Sequence, residues 1–380
     1  MGAVVPAPRT GAPVGQVVRV RHYVAGGREN GGGIGRLVGY IAATADESHV
    51  THRVTDTRGP RWFAPVSLVR LAWAVLSMAL DRLFVPGRIH HIHVAGRGST
   101  ARKLVLAAAA RTLGCVHVLH LHDYAYADDF AARSPRQRRL VRAMFRGADR
   151  VIVLGNGDRM MLETLLGVDG RRIEIFHNCV PDPGPRPLRI ALAPLVVFLG
   201  RLSERKGVPE LLLALASPAM AGLRWRAVIA GDGPVAAYRE HAAGLGLSGR
   251  VEMPGWLDTE QTRTLCQNAD ILVLPSHAEG MAMAVIEGLA HGLSVVATRV
   301  GAHEEAIADG ENGLFVPVGD PTALAGTLAR LVCDPGLRNG LSARARLAYL
   351  SGFSMVAYQH RLEAFYEAIL SQDQAKVHVR

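Results

Sequence analysis

Segments typical of strands and segments typical of helices alternate along this chain, and one proline-rich break divides the alternation into two halves. Short apolar segments are each followed by a longer segment with amphipathic or apolar helical periodicity. The break is PDPGPRP, residues 181–187, and neither a helix nor an inner strand tolerates its four prolines. Strands that alternate with helices favour a parallel sheet covered on both faces, so the sequence predicts two doubly wound α/β domains.

The periodicity also predicts where the elements lie. In the first half we expect strands at 17–24, 89–94, 116–121, 151–154 and 173–176, and helices at 66–83, 102–113 and 136–145. In the second half we expect strands at 195–199, 226–230, 251–253, 271–274, 294–297 and 314–316, and helices at 209–216, 236–245, 259–267, 282–291 and 321–333. We place a first domain at 1–183, a linker at 184–194, a second domain at 195–354, and a final helix at 355–380 that packs back on the first domain.

Composition is that of a globular protein of the cytoplasm. The chain has 380 residues, 49% of them hydrophobic and 20% charged, so each half can bury a core. Its four cysteines are far apart and form no CxxC or Cys/His motif, which predicts neither a disulfide framework nor a zinc site. The N-terminal segment lacks the apolar core of a signal peptide, and the longest apolar run, 71–80, is too short to span a bilayer. We therefore expect a cytoplasmic location, either free or peripheral on the inner face of the plasma membrane.

Charge is distributed unequally between the halves. Residues 1–185 contain 25 Lys and Arg against 14 Asp and Glu, whereas residues 186–380 contain 18 against 19. An excess of +11 in one half suggests an anionic partner such as a membrane surface, a lipid phosphate or a nucleic acid. The alternative is an arginine-rich composition with solvated faces. The interleaved aromatic and basic residues of an RNA-binding motif are absent, so we do not expect a nucleic-acid partner.

Two cations follow the first strand of the second half. Arg201 and Lys206 stand on the loop after 195–199, and Pro209 helps to open the next helix. Two cations at a strand's carboxyl end, beside a helix N-terminus, form a plausible diphosphate site. The chain has only three lysines and uses arginine for its other basic residues, so a lysine at position 206 is unusual for this chain. An ordinary solvated turn is the alternative.

Two carboxylates flank the start of the helix predicted at 282–291. Glu279 precedes it, and Glu287 lies about two turns later, where it can reach a ribose beside the helix. Between them, Gly280 and the backbone N–H groups of Met281 and Ala282 can face a phosphate. Carboxylates suit sugars because they accept hydrogen bonds from vicinal hydroxyls. The alternative makes Glu279 a helix cap and Glu287 a surface charge.

Three weaker features complete the candidate site. Gly231 and Asp232, in AGDGP, follow the strand 226–230, and the Gly-rich loop with Gly32 and Gly33 follows the first strand; both let backbone approach a ligand. The second loop lacks the GxGxxG spacing of a dinucleotide fingerprint. His122 ends the strand 116–121, where it would face a cleft and hydrogen-bond a sugar, although a structural role is the alternative.

Taken in order, these motifs resemble those of family 4 glycosyltransferases, which have the GT-B fold. The motifs are Gly200-Arg201…Lys206-Gly207, Gly231-Asp232-Gly233-Pro234, Glu279-x7-Glu287 and Gly301-Ala302-His303. The similarity is dense over 195–335. The first half resembles the family more loosely, through the Gly-rich loop and His122-Asp123.

The resemblance implies transfer of a sugar from a nucleotide donor, with retention of anomeric configuration and without a metal or other cofactor. It implies that Arg201 and Lys206 hold the donor diphosphate and that Glu279 binds the transferred sugar. Glu287 would hold the ribose, with Trp256 and Leu257 near the base, and His122 would line the sugar pocket from the opposite domain. Front-face displacement assisted by a donor phosphate oxygen would need no enzymic nucleophile.

The first half also resembles bacterial members that build cell-surface or exported polysaccharide. We expect a glycan or lipid-linked acceptor there, with its phosphate met by basic residues, which are Arg36, Arg97, Arg102 and Lys103. Arg138, Arg142 and Arg146 recur at helical spacing and predict a surface for anionic membrane. A solvated basic face over a buried stripe is the alternative.

Other functions remain open at this stage. A GT-B epimerase or phosphorylase would share the fold, but the ordered motifs of the second half disfavour the epimerase, and no lysine-bound cofactor site for a phosphorylase is evident. A non-catalytic binder of nucleotide sugars is the rival from another class.

Overall fold

The computed structural model describes residues 17–43, 49–186 and 193–378. Residues 187–192 of the expected linker lie outside the described residues, as does the N-terminal segment in which we expected no signal peptide. The described chain forms two parallel six-stranded sheets, as the alternation predicted.

Each half contributes one sheet. The strands of the first are β1 Val18–Val24, β2 Val50–Asp56, β3 Ile89–Val94, β4 His117–Leu121, β5 Arg150–Val153 and β6 Ile173–Ile175, in the order β2-β1-β3-β4-β5-β6. Those of the second are β7 Leu195–Leu199, β8 Arg226–Ala230, β9 Val251–Gly255, β10 Ile271–Leu274, β11 Ser294–Thr298 and β12 Gly313–Val316, in the order β12-β11-β10-β7-β8-β9. The strand order reverses beside β1 and beside β7, and crevices at such reversals bind ligands in open α/β sheets.

Helices cover both sheets. In the first domain they are α1 Gly32–Ala43, α2 Ala64–Phe84, α3 Gly98–Thr112, α4 Tyr126–Ala131, α5 Pro135–Arg146 and α6 Asn156–Met161. In the second they are α7 Val208–Leu215, α8 Pro218–Ala221, α9 Val235–Gly244, α10 Thr259–Asn268, α11 Met283–Ala290, α12 His303–Ala306, α13 Pro321–Cys333 and α14 Pro335–Gly352. Sequence periodicity missed β2 and α14, because β2 is an edge strand with polar alternate positions and α14 carries several glycines and arginines.

The last helix, α15 Met355–His378, returns to the first domain. Its buried side chains pack in one core with those of the first sheet and include Tyr358, Leu362, Phe365 and Tyr366. Where the chain crosses back, the Met355 N–H donates to the Val180 carbonyl at 3.2 Å. The two crossings between the domains are therefore bonded to each other.

Helix α2 is buried on its less apolar side. Apart from Met78, its buried side chains are small or polar, namely Ser67, Ala74, Ser77 and Asp81. Asp81 forms ion pairs with Arg21 and Arg88, which fix the helix against the sheet. Within the described residues, α2 alone has the length and mean hydropathy of a membrane span, and 28% of that window is buried. The apolar side of α2 therefore faces away from the domain.

Candidate active site

A cleft of about 570 Å³ separates the two domains at the carboxyl ends of their strands. We call it the interdomain cleft. The second domain lines it with loops that follow β7, β8 and β10 and with the first turns of α11. The first domain contributes the start of α1 and the loop after β4. Every donor-site and catalytic residue expected from the sequence lies on its wall; they are His122, Arg201, Lys206, Glu279, Gly32, Gly33, Gly231, Asp232, Trp256, Leu257, Gly280, Met281, Ala282 and Glu287.

Cations and one carboxylate meet at the centre of the cleft. Lys206 Nζ lies 2.6 Å from Glu279 Oε1, and Arg205 Nη1 lies 3.3 Å from the same oxygen. Lys206 is nearly buried, whereas the Arg201 side chain is 67% exposed and lies 3.8 Å from Asp232. The site therefore holds one nearly buried cation paired with Glu279 and one exposed cation beside Asp232.

Glycines let the loops of this wall approach one another. Gly231 has φ 153°, and a Cβ there would overlap the Gly200 carbonyl oxygen. Gly301 has φ 57°, and a Cβ there would overlap the carbonyl oxygens of Glu279 and Gly280. At both positions the absence of a side chain allows the backbones of two loops to come into direct contact.

The loop before α11 is braced from both sides. Asn178 Nδ2 donates to the Met281 carbonyl at 2.6 Å, and the Ala302 N–H donates to the Gly280 carbonyl at 2.7 Å. The first N–H groups of a helix have no partner within it, so the start of α11 offers donors to the cleft.

Glu287 has a partner that the sequence did not reveal. Arg36 Nη2 lies 2.6 Å from Glu287 Oε1, so the pair joins α1 of the first domain to α11 of the second. Burial raises the pKa of Glu287, and the Arg36 guanidinium opposes that shift. We expected Arg36 to meet the acceptor; its guanidinium is instead paired with Glu287 of the second domain in the interdomain cleft.

His122 faces the second domain from the end of β4. Its Nε2 lies 2.9 Å from His93 Nδ1, and burial lowers the pKa of His122 to about 3. The ring is therefore neutral at pH 7, and it can donate or accept one hydrogen bond toward the cleft.

Arg205, Tyr124 and Asn178 are among the lining residues that sequence reasoning missed. Arg205 donates to the Ala278 carbonyl at 2.5 Å, and its guanidinium lies 4.8 Å from the centre of the Tyr124 ring. Asn178 braces the α11 loop. Arg205 directly precedes Lys206, and we considered only the lysine at this point of the loop. Nothing in the sequence distinguished Tyr124 or Asn178 from other residues of their loops.

The expected acceptor residues do not form one group. Lys103 is fully buried, with Nζ 2.8 Å from Thr57 Oγ1 and 3.2 Å from the Tyr23 carbonyl, and burial lowers its pKa to about 7. Lys103 therefore cannot contact an acceptor substrate, so our expectation for it was wrong. It lies on the buried face of α3. Arg102 lines a separate cavity of about 540 Å³ with Arg58. We call this the basic cavity.

The α5 arginines are bonded to the protein's own backbone, whereas the Arg97 side chain is exposed. The Arg97 carbonyl accepts from Arg133, and Arg97 is exposed beside the basic cavity. Arg138, Arg142 and Arg146 donate through Nε to the carbonyls of Arg133, Leu165 and Leu166. Arg142 and Arg146 thereby brace the segment at 165–166, whereas Arg138 bonds to a residue just before its own helix. A membrane surface at these arginines stays a prediction.

Histidines from several strands come together behind His122. Among the described residues, two groups bring three ring nitrogens within 4.8 Å of one another, His22/His91/His93 and His93/His120/His122. The sequence had given no such cluster, since neighbouring strands supply its members.

Two family models match the chain. "Glycosyl transferases group 1" matches residues 190–348, and "Glycosyltransferase Family 4" matches residues 35–182. The chain is 30% identical over 318 residues to the alpha-D-kanosaminyltransferase of Streptomyces kanamyceticus, a match covering 79% of this chain and 82% of that protein. It is 36% identical over 166 residues to the lipopolysaccharide core biosynthesis glycosyltransferase LpsE of Rhizobium meliloti. That match covers 43% of this chain and 47% of LpsE, so the chain spans about half the length of some relatives.

Solved structures share the whole architecture. The sucrose-phosphate synthase of Thermosynechococcus elongatus superposes with a TM-score of 0.78 at 19% identity, covering 93% of this chain and all of that one. HepE of Anabaena, solved in complex with UDP-glucose, gives 0.71 at 18% identity, covering 92% of this chain and 99% of that one. At these identities the similarity shows the fold, which is GT-B.

Proposed function

Since this chain belongs to the group 1, or family 4, glycosyltransferases, we propose that it moves a sugar from a nucleotide-sugar donor to a glycan or lipid-linked glycan during synthesis of cell-surface or exported polysaccharide. The observation that carries the proposal is the meeting of Lys206, Arg205 and Glu279 in front of α11, opposite His122. Relatives with names from lipopolysaccharide core and colanic acid synthesis support the acceptor class.

The donor diphosphate lies between Arg201, Lys206 and the start of α11. Its negative charge grows as the glycosidic bond breaks, and preorganised cations and helix N–H groups stabilise that charge best. Glu279 is already shared by two cations, so part of its charge is neutralised before a ligand enters. The cations therefore keep positive charge available for the phosphates.

The transfer retains the anomeric configuration. The acceptor hydroxyl attacks the anomeric carbon on the face from which the diphosphate leaves, the bond to the diphosphate oxygen breaks, and the hydroxyl proton passes to a phosphate oxygen. No side chain forms a bond to the sugar. Glu279 accepts hydrogen bonds from sugar hydroxyls, and His122 contacts the sugar from the other wall.

The reaction needs no divalent metal. Lys206, Arg205 and Arg201 supply the positive charge that a magnesium ion provides in other phosphate sites. Glu287 and Arg36 hold the ribose side of the cleft, and Trp256, 71% exposed, offers a face for the base.

The basic cavity next to His93 receives the phosphate-bearing part of the acceptor. Arg58 and Arg102 line it, and Arg102 Nε is buried there without a hydrogen-bond partner in the described chain. Trp62 forms another part of its wall and leads directly into α2.

The first domain reaches that acceptor by lying on anionic membrane with the outer face of α2. Seven side chains spaced alternately four and three residues apart make one apolar stripe, each 39–73% exposed: Trp62, Val66, Val69, Trp73, Leu76, Leu80 and Leu83. Arg61, Arg70 and Arg82 are exposed around it. An apolar face with aromatic residues and flanking arginines is typical of a helix that lies in the interface plane.

A thermal-shift panel tests the proposed donor class. Unfolding of the full chain is followed with UDP, GDP, UDP-glucose and GDP-mannose, each with and without EDTA. A ligand at about 100 times its Kd stabilises the folded state by about 2.7 kcal/mol, so one base is expected to raise Tm clearly. The shift should persist in EDTA. No shift with any nucleotide, or one that requires added Mg²⁺, would contradict the proposal.

A further inference from the structure

Six histidines share one face of the first sheet, behind the wall of the interdomain cleft. Five stand on four neighbouring strands, one on β2, one on β1, two on β3 and one on β4, and the sixth directly follows β4. They are His52, His22, His91, His93, His120 and His122. His91 also bonds to Tyr366 of α15 at 2.6 Å, which ties the face to the last helix.

Four of these rings form a continuous hydrogen-bonded chain. His52 Nδ1 lies 2.9 Å from His22 Nε2, and His22 Nδ1 lies 3.0 Å from His93 Nε2. His93 Nδ1 in turn lies 2.9 Å from His122 Nε2. We call this the imidazole chain. It runs from the edge of the sheet to the cleft, and every link joins Nδ1 of one ring to Nε2 of the next.

The number of protons permits only two arrangements. Burial lowers the pKa of all four rings, that of His52 to about 4, so each is neutral at pH 7 and carries one N–H. Each link needs one N–H and one lone pair. If His52 carries its proton on Nδ1, every ring does, and His122 presents an N–H to the cleft. If His52 carries it on Nε2, His122 presents a lone pair.

Nearby charge favours the first arrangement. Arg28 lowers the pKa of His52 and His22, in addition to burial, whereas burial is the only cause at His122. A cation near the His52 end attracts a lone pair and repels an N–H there. This charge favours the arrangement in which His122 carries its proton on Nδ1, at the cleft.

A metal site is the competing interpretation of the same rings. A bound zinc ion requires ring lone pairs that converge on one point at about 2.0–2.1 Å. His91 and His93 are instead stacked, 4.4 Å apart and 4° from parallel, and His120 and His122 are stacked at 3.9 Å. The lone pairs of stacked rings run side by side. Only His120 Nε2 is buried without a partner among the six rings, so hydrogen bonding accounts for more of the geometry.

We propose that His93, His22 and His52 are positioning residues that act through His122, holding its ring as an N–H donor toward the interdomain cleft. A fixed donor suits a sugar hydroxyl or a phosphate oxygen, both of which offer lone pairs. The identity of the group that accepts this hydrogen bond, the sugar of the nucleotide-sugar substrate, rests on the proposed function. The imidazole chain itself does not.

Long-range ¹H–¹⁵N NMR of histidine-labelled, ligand-free full chain tests the proposal, because it distinguishes protonated from bare ring nitrogens. The His122 signals are assigned by their loss in His122→Gln. We expect the Nδ1–H tautomer for all four rings of the wild type at pH 7. The tautomers themselves are measured in the wild type, and His122→Gln, a change at the wall of the cleft, is used only for assignment.

A variant pair shows whether the chain sets the tautomer. His93→Phe keeps an aromatic ring but breaks the link, and His122 should then populate both tautomers. His90→Phe is the matched control, since His90 lies next along β3 on the opposite face, bonded to Tyr23. If half of the molecules carry the wrong tautomer and only the right one holds the ligand, the donor KM rises about twofold while kcat stays unchanged.

Three results would overturn the inference: a lone pair or mixed tautomers at His122 in the wild type, an unchanged His122 in His93→Phe, or one equivalent of Zn²⁺ shifting His93, His120 and His122 together. The proposed function can fail separately. A chain that shows the expected tautomers but binds no nucleotide refutes the transferase proposal and leaves the imidazole chain intact.

Discussion

Charged side chains in the interior of this protein are held by groups from distant parts of the chain. Lys206 meets Glu279 across two loops, and Arg36 meets Glu287 across two domains. Lys103 differs because, in the part of the chain that the structure describes, its hydrogen-bond acceptors are a hydroxyl and a carbonyl, and the Asp56 carboxylate offsets only part of the effect of burial on its pKa. The two ion pairs line the cleft where a ligand can exchange with them, whereas Lys103 is sealed beneath α3.

Burial of Lys103 gives stability a specific dependence on pH. Burial lowers its pKa from the ordinary 10.5 to about 7, so the unfolded chain binds this proton more tightly than the folded one. The associated stability is present above pH 10.5 and is lost as pH falls through about 7. We expect the Tm of the wild type to rise, relative to that of Lys103→Met, between pH 6.5 and 9.5.

The control for that series is Arg111→Met on the same helix, because arginine does not titrate in this range. Its Tm should differ from the wild type by a constant amount. Parallel Tm curves for Lys103→Met and the wild type would show that Lys103 keeps an ordinary pKa and is not desolvated.

At the scale of single elements, α2 has its apolar side outward. Its helical periodicity is evident in the sequence, but which side faces the sheet depends on Asp81, whose partners Arg21 and Arg88 lie on other elements. The same limit applies to α5, whose arginines appear free in the sequence and are bonded to carbonyls in the fold. Periodicity predicts an element, and its neighbours decide which face is available.

Vesicle co-sedimentation separates these two surfaces. Trp73→Gln/Leu76→Gln should lose most binding to anionic vesicles, since each large apolar side chain contributes about 1.5–3 kcal/mol on burial. Arg138→Gln/Arg142→Gln/Arg146→Gln is the comparison and should retain most of it. Binding by the wild type should weaken with salt, because flanking arginines add about 1 kcal/mol each at an anionic surface.

Equal binding of the α2 variant and the wild type would remove α2 as the contact. Loss confined to the arginine variant would restore the α5 surface that the sequence suggested. A concentration-dependent dimer abolished by Trp73→Gln/Leu76→Gln would instead assign the stripe to a second copy of the chain.

At the scale of the whole molecule, the sequence predicted the architecture and the loops of the cleft. Parallel strands bring their carboxyl ends to one edge, so residues after β7, β8 and β10 had to meet. The pairing of Arg36 with Glu287 was not predictable, because it depends on how the two domains face each other. The six-histidine face was hidden for a related reason, since it depends on the register of four strands.

The central claim is that cations of the second domain hold the leaving diphosphate. The most direct measurement is the release of nucleoside diphosphate from the donor that stabilises the protein most, by the wild type and by Arg201→Ala/Lys206→Ala. Each charge-assisted contact is worth about 1.5–3 kcal/mol, so the double variant should lose at least about a hundredfold in kcat/KM. Arg226→Ala, an exposed cation paired with Glu252 on the neighbouring strand, should keep the wild-type rate. A well-folded double variant that releases nucleotide as fast as the wild type would contradict the account.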